Sequence, residues 1–112
     1  MKVIIAGSRG IKDYATVRDA VQRSGFLISR VLSGMAQGVD ALAVRYAKEN
    51  SLPCDRFPAE WSKWGRSAGY RRNVQMAQNA DALVAVWDGK SPGTKHMIDV
   101  AKARGLRIFV VS

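Results

Sequence analysis

Five short aliphatic and β-branched segments, Val3–Ala6, Arg30–Leu32, Asp55–Phe57, Ala82–Trp87 and Arg107–Val111, begin at positions 3, 30, 55, 82 and 107. Successive starts therefore lie 27, 25, 27 and 25 residues apart. Such an interval accommodates a strand, a helix and two short connections, so the chain reads as a run of βα units. That alternation predicts a parallel sheet with right-handed crossovers and helices on both faces. The units share no sequence repeat, so the spacing is architectural.

The intervening segments have helical periodicity. Val17, Ala20, Val21 and Ser24 share one face, and Arg18, Asp19, Gln22 and Arg23 share the other, with Gly25 as the stop. Val39, Leu42, Ala43, Tyr46 and Ala47 mark a second helix that ends before Pro53. A third is predicted from Ala68 to Asn79 and a fourth from Thr94 to Arg104, capped by Gly105. No stretch reads as a linker, so residues 1–112 are expected to form a single domain.

Eighteen Lys and Arg against nine Asp and Glu give a net charge of +9, which favours an anionic partner: a nucleic acid, a nucleotide or a phosphorylated metabolite. The single cysteine, Cys54, forbids an intramolecular disulfide and reads as a small, buried apolar residue. No apolar run approaches the ~20 residues of a membrane span, and the apolar start reaches Gly7 too soon for a signal-peptide core. A cytoplasmic protein without membrane association is expected.

In an open parallel sheet, ligands bind at the carboxyl edge, where the strand-to-helix loops emerge. Four loops are therefore the candidates. Gly7-Ser8-Arg9-Gly10 fits neither G-x-G-x-x-G nor a P-loop, and it serves either close approach to a ligand or a tight turn. Ser33-Gly34-Met35-Ala36-Gln37-Gly38-Val39-Asp40 sets two glycines before an amphipathic helix. Its free N–H groups suit an anion, while Gly38 as a turn and Asp40 as a helix cap would account for it structurally.

The third loop, residues 58–73, carries Trp61, Trp64, Lys63, Arg66, Arg71, Arg72 and Asn73. Its tryptophans suit either stacking on a base or packing of a small satellite core, with packing the favoured reading; Arg71 and Asn73 are read as functional. The fourth, Trp87-Asp88-Gly89-Lys90-Ser91-Pro92-Gly93-Thr94, places Thr94 to cap the last helix or to bond a phosphate oxygen. Arg9, Lys12, Lys90 and Lys95 add to the positive charge at this edge.

One His and one Cys cannot assemble a zinc site, and no H-E-x-x-H or C-x-x-C occurs. Asp40 or Asp88 could meet only a magnesium ion that arrives with phosphates, so no resident metal or cofactor is expected. His96, in the first turn of the last helix, suits proton transfer, but a structural or solvated role is the favoured reading.

Ile4-Ile5-Ala6-Gly7-Ser8-Arg9, Ser33-Gly34-Met35-Ala36-Gln37-Gly38-Val39-Asp40, Pro58-Ala59-Glu60-Trp61, Ala68-Gly69-Tyr70-Arg71-Arg72-Asn73 and Asp88-Gly89-Lys90-Ser91-Pro92-Gly93-Thr94-Lys95-His96-Met97 together resemble the YspA/YpsA-related branch of the SLOG superfamily. The resemblance spans essentially the whole chain. It implies a Rossmann-like sheet of order 3-2-1-4-5, with the flavodoxin-like 2-1-3-4-5 as the alternative. It also implies a nucleotide or nucleotide derivative, NAD-derived or ADP-ribose-like among the candidates, bound at Gly7, Ser8, Arg9, Ser33, Gly34, Met35, Ala36, Gly38, Asp40, Trp61, Arg71, Asn73, Asp88, Ser91, Gly93 and Thr94.

The related LOG enzymes carry an arginine early in the third helix and a P-G-G-x-G-T-x-x-E motif before the fourth. Arg71 or Arg72 matches the arginine, and Gly93-Thr94 matches the glycine–threonine pair. Where that motif has its glutamate, this chain has Met97, so no carboxylate stands ready to stabilise a ribosyl cation. Binding as a sensor or sequestering protein is therefore expected ahead of phosphoribohydrolase chemistry, in which Glu60, Asp88 or His96 would have to substitute. Single-stranded DNA binding through tryptophans and cations is a further alternative. Self-association is expected from apolar helix faces that include Met76, Met97 and Ile98.

Overall fold

A computed structural model describes residues 1–112. The chain runs β1 (Lys2–Gly7), α1 (Tyr14–Ser24), β2 (Arg30–Ser33), α2 (Val39–Glu49), β3 (Cys54–Arg56), α3 (Trp61–Trp64), a 3-10 turn (Gly65–Ser67), α4 (Ala68–Gln78), β4 (Ala82–Val86), α5 (Pro92–Ala103) and β5 (Arg107–Val111). The five strands form one sheet of order β3-β2-β1-β4-β5, with every neighbouring pair parallel. The order is 3-2-1-4-5, and the flavodoxin-like alternative is excluded.

Alternate residues of the central strands face opposite layers, as the pleat requires. Val3, Ile5, Val31, Val84 and Val86 pack with Val17 and Val21 of α1 and Val39, Ala43 and Ala47 of α2. Ile4, Ala6, Leu32, Leu83 and Ala85 face the other way, onto Met76 and Ala77 of α4 and Met97, Ile98 and Ala101 of α5. Because β1 and β4 are covered on both faces, they read as continuous apolar runs rather than alternating ones.

Three expectations change here. Met76, Met97 and Ile98 are 1%, 1% and 6% exposed, so they are the inner packing of the α4–α5 layer and supply no free apolar face for a second copy. The long third connection contains α3 and a 3-10 turn, and α5 begins two residues before the expected Thr94. Pro92 is the reason for the early start: its fixed φ and missing N–H suit the first helical position.

Candidate functional site

Strand order reverses between β1 and β4: from β1 the chain builds outward through β2 to β3, and from β4 outward to β5. A cleft of about 370 Å³ opens at the carboxyl end of these strands. Ala6 and Gly7 of β1 form its floor, with Met76 and Met97 beside them, and its rim carries Arg9, Trp61, Arg66 and Tyr70.

The glycines are there to let backbones approach one another. A Cβ on Gly7 would overlap the Val86 carbonyl oxygen and lie 2.8 Å from a Val39 methyl. Gly38 has φ +73°, and a side chain there would strike the carbonyl oxygens of Ser8 and Arg9. Ser8 ties the first loop to the fourth, since its buried hydroxyl accepts the Asp88 N–H at 3.0 Å and its own N–H donates to Val86 at 3.0 Å.

Asp40 does not cap α2. It is the second residue of the helix, 5% exposed, while Gly38 takes the cap position without a side-chain hydrogen bond. The carboxylate turns back toward its own loop, where Oδ2 accepts the Ala36 N–H at 3.3 Å. Burial raises its pKa, and the Arg72 guanidinium opposes that rise by favouring the charged form. Ser33 Oγ donates to the Asp40 carbonyl at 2.9 Å and accepts from the Met35 N–H at 3.2 Å. Met35 takes a positive φ of 63° in this turn and is exposed.

Arg72 crosses from α4 to the same loop. Its Nη1 donates to the Gly34 carbonyl, and its Nε donates to Asn73 Oδ1 at 3.1 Å. Any side chain at position 34 would fill the space that Arg72 and Asp40 occupy, which is why a glycine stands there. Burial lowers the Arg72 pKa, and Asp40 acts against that shift. Asn73, itself 5% exposed, extends the chain of contacts: its Nδ2 donates to the Gly93 carbonyl at 3.2 Å and lies 3.1 Å from His96 Nδ1.

Because Arg72 Nε fixes Oδ1 as the acceptor, Nδ2 presents a hydrogen to His96, whose Nδ1 must accept. This contact suits the neutral imidazole with its proton on Nε2. Burial lowers its pKa, with Asp99 acting in the opposite direction, and the Tyr70 ring lies 4.3 Å away, centre to centre.

Thr94 does not cap α5 either. Ser91 holds the cap position, and Thr94 is the third helical residue, buried against the cleft. Asp88 shapes the approach: Oδ1 accepts the N–H groups of Lys90 and Ser91 at 2.8 Å each, and Oδ2 accepts the Ser91 hydroxyl at 3.0 Å. The Lys90 and Ser91 N–H groups pull its pKa down to about 2. This leaves the first-turn N–H groups of Gly93 and Thr94 without intrahelical partners at the mouth of a 12-residue helix.

Of the residues singled out by sequence, Gly7, Arg9, Ala36, Asp40, Trp61, Asn73, Ser91, Gly93 and Thr94 line the cleft. Ser8, Ser33, Gly34, Gly38 and Asp88 lie behind it and hold its loops in place. Arg71 stands apart: it packs its guanidinium over Trp64, with its carbon 3.9 Å from the ring centre, on the far side of α4. Of the two adjacent arginines of α4, the one that lines the cleft is Arg72, alongside Arg9 and Arg66.

Tyr70 and Met76 are lining residues that sequence reasoning did not assign to the site. For Met76 the spacing held a signal, since Arg72 and Met76 stand four apart on a single helix line and both line the cleft. Trp61 and Trp64 form no satellite core, being 52% and 41% exposed.

Asp40 is the sole carboxylate lining the cleft, and it is engaged by Ala36 and faced by Arg72. Glu60 borders the neighbouring hollow and Asp88 is committed to its turn. No group of three His, Cys, Asp or Glu side chains is placed to hold a metal ion, and no helix is long and apolar enough to cross a membrane.

A family model described as the YspA, cpYpsA-related SLOG family matches residues 1–64, the segment that supplies β1 to α3 and both glycine loops. No curated protein matches the chain.

Proposed function

Given that the chain belongs to the YspA, cpYpsA-related SLOG family, we propose that its cleft binds a nucleotide or phosphorylated nucleoside derivative as a sensor or sequestering protein. The observation that carries this reading is the convergence, in one hollow, of the α5 N-terminus with Arg9, Arg66 and Arg72 and the exposed rings of Trp61 and Tyr70. A phosphoryl group would sit at the N–H groups of Gly93 and Thr94, where the helix dipole and the Thr94 hydroxyl favour negative charge. The rings offer an apolar face to a base or ribose, and the cleft volume lies within the usual range for small-ligand sites.

Ligands of the NAD-derived or ADP-ribose type are the finer proposal, because they combine a ring with more than one anionic group. Binding is preferred over hydrolysis because Met97 lines the wall and a thioether can neither ionise nor orient water strongly. Cytoplasmic residence accords with the lone, half-buried thiol of Cys54.

Calorimetric titration with adenosine monophosphate and ADP-ribose tests the reading. Saturable binding by wild type, weakened about ten- to hundredfold in Arg72→Gln, is expected for the loss of a charge-assisted hydrogen bond. Chromatography of the same mixtures should detect no released base. Turnover by wild type that disappears in His96→Ala would replace the binder with an N-glycosidic hydrolase.

A further inference from the structure

A second hollow of about 320 Å³ lies on the other side of α4, between Pro58, Glu60, Lys63 and Trp64 on one side and Arg71, Arg72 and Gln75 on the other. Arg71 is held in place there. Its Nε donates to Ser67 Oγ at 3.0 Å, and that hydroxyl donates to the Trp64 carbonyl at 3.0 Å. The guanidinium lies against the Trp64 ring, which fixes its plane. No carboxylate is within ion-pair distance of Arg71, and its terminal nitrogens donate to no protein acceptor.

Lys63 Nζ lies 5.0 Å from the same ring centre, and its only ion-pair partner is Glu60 at 4.0 Å, with both side chains more than half exposed. Such an exposed pair is worth little and exchanges readily for a better acceptor.

We propose that this hollow is a second anion site and that its ligand is a phosphoryl group. The free terminal nitrogens of Arg71 present a planar fork that matches two oxygens of a phosphate, and Lys63 adds a mobile charge beside it. Because the stacking and the Ser67 bond already order the Arg71 side chain, little further entropy is lost on binding. Arg72 lines both hollows, so the phosphoryl group has two sources: a separate phosphate-class anion, or a second phosphoryl group on the ligand of the cleft.

The test is nuclear magnetic resonance of the wild-type protein, following the Trp61 and Trp64 indole signals and the Arg71 Nε signal. The titrants are inorganic pyrophosphate, adenosine monophosphate and adenosine 3′,5′-bisphosphate. The site predicts saturable shifts at Trp64 and Arg71 in wild type and a Trp64 response about tenfold weaker in Arg71→Gln, while the Trp61 response to the monophosphate is unchanged. Shifts with pyrophosphate alone assign a separate anion. Shifts with the bisphosphate alone, at one ligand per chain, assign a second phosphoryl group of the cleft ligand. Failure of all three titrants to move Trp64 and Arg71, or undiminished affinity in Arg71→Gln, overturns the proposal. Failure of the cleft reading would instead appear as silence at Trp61.

Discussion

On the glycine-loop side of the cleft, Ser8, Ser33 and Asp40 are buried and held by hydrogen bonds to neighbouring backbone, and no buried side-chain polar atom in the molecule lacks a partner. On the α3–α4 side, Trp61, Trp64 and Tyr70 are about half exposed, and α3 contributes no buried residue at all. The first wall is preformed: its backbone runs so close to β4 and α2 that only glycine fits at position 7. The second wall is an adjustable rim of rings and cations. Rigid backbone donors combined with an open aromatic rim suit a ligand that is fixed at its phosphate and covered at its ring.

The contrast predicts that substitutions on the first wall act on folding and those on the second act on binding. Gly7→Val should have the largest effect, costing about 3 kcal/mol or more because the new side chain drives into the Val86 carbonyl and Val39. Urea denaturation of the purified variant measures it. Asp40→Ala follows, at about 2 kcal/mol, since it strips the Ala36 N–H of its acceptor and leaves the Arg72 charge half-buried without its counter-charge. A midpoint within error of wild type in thermal melts would show that this wall is not held by Asp40.

Across α4 the neighbouring arginines separate the two roles. Arg72→Gln should weaken adenosine monophosphate binding about ten- to hundredfold in calorimetry, whereas Arg71→Ala should leave it within about twofold. Equal losses in the two variants would dissolve the distinction between the hollows.

The smallest effect is in pH dependence. Because burial depresses the His96 pKa in the folded chain, the unfolded chain holds the extra proton in the window between the ordinary value, about 6.5, and the lower folded one. Stability should therefore fall as pH drops through that window, as protonation sets an N–H of His96 against Asn73 Nδ2. His96→Ala should flatten this part of the melting-temperature profile.

The strands and their parallel arrangement were legible because aliphatic runs at even spacing admit few other arrangements; the observed starts at 2, 30, 54, 82 and 107 lie within one residue of expectation. The glycine loops were legible for a similar reason, since close backbone approach tolerates few residue types. For Asp40 and Thr94 the sequence left a helix cap open beside a ligand role, because a short polar residue near a helix start fits the cap, the first turn or a ligand equally well, and only the exact first helical residue excludes the cap. Arg71 and Arg72 differ by a 100° turn of the helix, a phase fixed by the packing of Ala68 and Met76 beneath it. Met76, Met97 and Ile98 showed an apolar face in sequence, and the partner of that face proved to be the chain's own sheet.

Native mass spectrometry of the protein purified from cells tests the central claim that the cleft holds a phosphorylated nucleoside most directly. Wild type should carry a bound mass that dissociates on activation and fragments to a nucleobase and phosphate, and Arg72→Gln should carry less of it or none. A bare 12.3 kDa chain in both preparations, together with no heat on titration with adenosine monophosphate or ADP-ribose, would contradict it.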